Sequence, residues 1–161
     1  MRGPIVVGTD GSETSRLAVE EAGAIARASG HQLVVLFVRH VSFAGVGVLA
    51  TGGLSAGAVQ DALDGDQALA EAQCIAILDP TGVPWRFEVG EGDPASELMR
   101  VATGLEADTI VVAGRRHGAL GGLAHGSVSV RLLHRWSGAL LVIHPKPTAS
   151  STSKAGTVAS S

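Results

Sequence analysis

Two glycine-bounded stretches hold the residues with the most chemical capacity. The first is Gly8-Thr9-Asp10-Gly11-Ser12, which sets a carboxylate between an apolar run and an amphipathic one. A dinucleotide site would carry G-x-G-x-x-G here and seat pyrophosphate on the following helix. Asp10 repels phosphate and suits instead the hydroxyls or amine of a ribose and base, whose protons it can accept. An equal reading is that Asp10 supports the turn and the helix amino end. The second stretch runs from Gly114 to Gly126 and on into Ser127, Val128 and Ser129. Its glycines permit close backbone approach, and a helix opening at Ser127 directs N–H groups and a positive dipole end toward an anion. Gly121 to Ser127 reads G-x-x-x-x-G-S, but a P-loop needs Lys where Gly126 stands, which excludes a Walker site.

The remaining reactive residues assemble nothing comparable. His31, His40, His117, His125, His134 and His144 are scattered over different elements without the paired spacing of a metal site. Cys74 is the single cysteine, so no internal disulfide forms, and its place on the apolar side of a helical pattern reads as a buried structural thiol. No nucleophile, base and orienting residue come together, which argues against an enzyme.

The elements that position these loops follow from the alternation of apolar runs with amphipathic stretches, the pattern of a doubly wound α/β domain. Strands are predicted at Ile5 to Val7, Leu33 to Val38, Trp85 to Val89, Thr109 to Ala113 and Ala139 to Ile143. Trp85, Phe87 and Val89 alternate with Arg86 and Glu88, which suits a strand near the sheet edge. Ser12 caps a helix with inner face Ala18, Ala22, Ile25 and Ala26, and Gly30 ends it. Val59, Leu63, Ala70, Cys74 and Ile77 mark a second helix, Asp93-Pro94 starts a third, and Ser127 to about Arg135 forms a fourth.

The stretch Val41 to Gln60 lacks charge but carries five glycines, and reads as a loop rather than a membrane span. Its part from Ala44 to Gly57 is predicted to be the most mobile of the ordered domain. Residues 1–146 read as one domain and 147–161 as a disordered polar tail.

Composition narrows the class. The 161 residues are 45% hydrophobic but only 3% aromatic, so aliphatic side chains must pack the core, as in a parallel sheet under Ala-rich helices. The net charge of −3, without a basic stripe, speaks against nucleic acid, and the short apolar start is too brief for a secretory signal, which predicts a cytoplasmic protein.

The segments IVVGTDGSE, VGEGDPASEL and GSVSVRLLHRWSGALLVI, in this order and spacing, resemble the universal stress protein family over roughly Ile5 to Pro145. The resemblance implies a Rossmann-like five-stranded open parallel sheet of the adenine nucleotide alpha-hydrolase type with helices on both faces. It also implies a homodimer through Ala139 to Ile143 and, in one branch of the family, a site for ATP or AMP, with magnesium accompanying ATP. The other branch binds no nucleotide and acts through protein partners.

By the same resemblance the adenine end is Thr9, Asp10 and the backbone of Val38, and the phosphate end Gly126, Ser127, Val128 and Ser129. The family's phosphate loop reads Gly, two residues, Gly, nine residues, Gly, Ser/Thr. Aligned from Gly126 and Ser127, its first two glycines fall on Ala113 and Arg116, with Gly114 displaced by one and Gly118 in the spacer. Each replacement costs about 1 kcal/mol where a positive φ is needed, while Arg116 offers phosphate a charge. Two rivals share the general pattern. A response-regulator receiver also has Asp after its first strand and Lys after its last, here Lys146, and a flavodoxin is the weaker rival for want of aromatic surface.

Overall fold

Aliphatic strands need cover on both faces, and the chain supplies it from both sides of one sheet. The computed structural model describes residues 3–40, 51–53, 55–114 and 126–146. Strands β1 (Ile5–Thr9), β2 (Leu33–Arg39), β3 (Trp85–Glu91), β4 (Thr109–Ala113) and β5 (Ala139–Ile143) are parallel and lie in the order β3-β2-β1-β4-β5. Helices α1 (Glu13–Ser29), α2 (Ala56–Leu78), α3 (Pro94–Gly104) and α4 (Ser127–Arg135) follow β1 to β4 in turn. Receivers and flavodoxins use the order 2-1-3-4-5, so the observed order excludes both rivals.

Alternation along each strand splits the core in two. Ile5, Val7, Leu33, Val35 and Val111 face α1 and α2, where Ala18, Ala22, Cys74 and Leu78 meet them. Val6, Val34, Leu36, Ile110 and Val112 face α3 and α4, against Leu98, Val101, Ala102 and Leu132. β3 lies at one edge, as its alternation predicts, although Val89 on its apolar face is exposed, and β5 lies at the other.

The helix starts at Ser12 and Asp93 are observed: each side-chain oxygen accepts the N–H three residues on, from Ser15 and Ser96. Two expectations need correction. Ile25 is exposed, and the inner face of α1 is Ala18, Val19, Ala22, Gly23 and Ala26, because the helix approaches the sheet on its smallest residues and Ile25 lies off that line. The stretch Val41 to Gln60 is not loop throughout. Ser55 caps α2, whose first residues are Ala56 and Gly57, and the cap together with the alanines outweighs one glycine. The rest of the mobile segment proposed for Ala44 to Gly57 lies mainly outside the described residues, as does the tail 147–161. No helix among the described residues is long and apolar enough to cross a membrane.

Candidate functional site

The chain adds β2 and β3 on one side of β1, then crosses over to lay β4 on the other. The winding therefore reverses between β1 and β4, and in open α/β sheets such a switch point opens a crevice beyond the strand ends. A cleft of about 910 Å³ lies there, within the size range of small-molecule sites. Thr9, Asp10, Val38, Ala113, Gly126, Ser127, Val128 and Ser129 all line it, so the structure unites eight residues singled out from the sequence. Arg116 and Gly118 lie outside the described residues. Gly114 does not line the cleft. It is buried where β4 ends, its N–H donates to Ile143 O at 2.7 Å, and a Cβ there would come within 2.1 Å of the His144 ring. That glycine is required by packing against His144.

The β1–α1 loop is held by its own hydroxyls. Thr9 is buried, and its Oγ1 accepts from Gly11 N–H at 3.2 Å and lies 3.1 Å from Ser15 Oγ. Ser15, also buried, accepts Asp10 N–H at 3.4 Å and donates to Ser12 O at 2.9 Å. Gly11 turns the chain at φ 77°, a left-handed value that side chains disfavour. Asp10 Oδ1 accepts Ser12 N–H at 3.0 Å, so the carboxylate does support the turn. It is at the same time exposed along the cleft wall.

The opposite wall is the start of α4. Helices α1, α2 and α3 each cap their first turn with an oxygen of Ser12, Ser55 or Asp93, whereas α4 starts at Gly126 with no side-chain cap. Its amino-terminal N–H groups therefore receive no side-chain acceptor from the cap position. Ser129, 1% exposed, has a buried hydroxyl with no hydrogen-bond partner among the described residues. A buried unsatisfied hydroxyl costs on the order of 1 to 3 kcal/mol, which an incoming acceptor would recover.

Several lining residues were not foreseen in a site role. Arg39 at the end of β2 pairs with Asp64 of α2, and Arg131 of α4 pairs with Asp93 at the start of α3. The Arg131 guanidinium, with Ser96 adding hydrogen bonds, holds the Asp93 carboxyl well below the usual carboxylate range. Arg131 had a signal in the sequence: it falls four residues after Ser127 and so shares its helix face. Arg39 and Ser15 had none, since their roles depend on how strand end and loop fold together. Among the described residues, no group of three His, Cys, Asp or Glu side chains could hold a metal ion.

With the geometry in place, the chain can be compared with known proteins. The sequence model of the Universal stress protein family matches residues 1–144. Solved structures with the same fold include a protein of that family from Burkholderia pseudomallei, 24% identical, with 86% of this chain and 94% of that one covered at a TM-score of 0.66. A universal stress protein in complex with cAMP is 24% identical, with 89% and 99% covered at 0.66. One from Archaeoglobus fulgidus in complex with dAMP is 17% identical, with 88% and 97% covered at 0.62. No curated protein matches the chain.

Proposed function

The chain belongs to the universal stress protein family, and from that premise we propose that it is a cytoplasmic regulatory homodimer whose cleft takes an adenine nucleotide, AMP or magnesium-bearing ATP. The observation that carries this reading is the polar wall at α4: an amino terminus without a side-chain cap beside a buried Ser129 hydroxyl that has no hydrogen-bond partner among the described residues. An anion with several acceptor oxygens fits that wall, because backbone N–H groups and the dipole end both favour negative charge. The Asp10 side of the cleft fits a neutral, proton-donating group, which orients the ligand with its base and ribose near Asp10 and Val38 and its phosphates at Gly126 to Ser129. Two relatives crystallised with cAMP and dAMP support an adenine ligand.

A second reading, a nucleotide-free dimer acting through protein partners, is favoured by Ala113, which lines the cleft where the phosphate-loop pattern has glycine.

Single substitutions titrated by calorimetry separate the two. Asp10→Ala weakens both AMP and ATP, and Ser127→Ala weakens ATP, each by about 1 to 3 kcal/mol, or roughly tenfold to a hundredfold in affinity. Unchanged ATP affinity in both variants would contradict the orientation.

A further inference from the structure

Two side chains that line the cleft are tied to each other, Arg131 on α4 and Asp93 at the start of α3. They are 52% and 36% exposed, so water reaches the pair and little holds it closed. The two partners are unequally committed. Asp93 Oδ2 also accepts from Ser96 N at 3.0 Å and Ser96 Oγ at 2.8 Å, so it remains satisfied as the α3 cap if the arginine leaves. Arg131 has Asp93 as its ion-pair partner among the described residues. It stands one helical turn past Ser127 on the same side-chain face of α4, whose start has no side-chain cap. The buried Ser129 hydroxyl, between them in sequence and without a hydrogen-bond partner among the described residues, independently marks this end of the cleft as a place for acceptor oxygens.

We infer that Arg131 counts ligand charge: it leaves Asp93 for the terminal phosphates of a bound triphosphate and stays with Asp93 when the ligand is a monophosphate. The inference rests on the nucleotide reading above and extends it to specificity. A guanidinium binds phosphate through two parallel hydrogen bonds, and a terminal phosphate carries more charge than the single carboxylate it displaces. A monophosphate satisfied by the backbone N–H groups at the start of α4 needs no guanidinium and leaves the ion pair in place. The exchange would also uncouple α4 from the cap of α3, so that the triphosphate and monophosphate forms present different surfaces where these helices begin.

The test is calorimetric titration of ATP and of AMP into the unmodified chain, Arg131→Gln, Asp93→Asn and the double variant. Gln keeps helix propensity and Asn keeps the cap, so all should fold. Arg131→Gln is expected to lower ATP affinity about tenfold and AMP affinity less than about threefold. Asp93→Asn, which removes the competitor, should raise ATP affinity about threefold to tenfold, and the gain should vanish in the double variant. If the unmodified chain binds ATP and Arg131→Gln binds it equally well, or loses ATP and AMP alike, the inference is overturned while the nucleotide reading stands. If the unmodified chain binds neither nucleotide, both fall.

Discussion

Cys74 is 2% exposed beneath α1, and burial, with the Glu71 carboxylate adding to it, pushes its thiol up from 9.0 to about 11. The thiolate is the reactive form, so the native protein should react slowly with a disulfide reagent at neutral pH and rapidly in urea; equal rates would contradict the burial. The sign for stability follows from linkage. A pKa raised in the folded state means that the native chain holds the proton more tightly, so this contribution is intact below pH 9.0 and is lost as pH rises toward about 11. Burial of this thiol was legible from its place in the helical pattern. Asp10, Ser127 and Ser129 were legible as cleft-lining residues because they follow a strand or open a helix, the places that border a switch-point crevice. The packing constraint on Gly114 was not legible, because its need for a bare backbone comes from His144, a residue far along the chain.

Asp93 shows how one residue serves an element and a site together. It caps α3 through Ser96 and anchors Arg131 of α4. Asp93→Ala should cost about 1 kcal/mol of stability by urea denaturation and Asp93→Asn only a few tenths, since Asn caps as well as Asp; equal losses would show that the ion pair rather than the cap matters. Cap chemistry is local, so Ser12 and Asp93 announced their helices in the sequence. What remained hidden was tertiary. The start of α2 was masked by the glycines before it, and the exposure of Ile25 depends on which residues of α1 approach the sheet most closely.

At the scale of the molecule, strand order gives both the cleft and an open edge. β5 pairs with β4 on one side only, and among the described residues its other side carries no strand. Ala139 N–H donates to Asp108 O and Ile143 O accepts from Gly114 N, so alternate residues face β4 and the outward backbone groups belong to Leu140 and Val142. Such an edge invites pairing with a second copy. Light scattering at micromolar concentration should give a dimer, and Val142→Pro should weaken it while sparing the β4 ladder, whereas a monomeric unmodified chain would contradict the assembly. The parallel sheet was legible from the alternation of elements, but the orientation of β5 backbone groups was not, since hydrogen-bond phase has no sequence signature. The central claim is that the switch-point cleft holds an adenine nucleotide with its base at Asp10 and its phosphates at α4. Amide shifts in nitrogen-15 NMR spectra during titration with ATP test it most directly. The account predicts saturating shifts concentrated at Asp10 to Ser12, Val38 and Gly126 to Ser129; no shifts at millimolar ATP, with and without magnesium, or shifts confined to other residues, would contradict it.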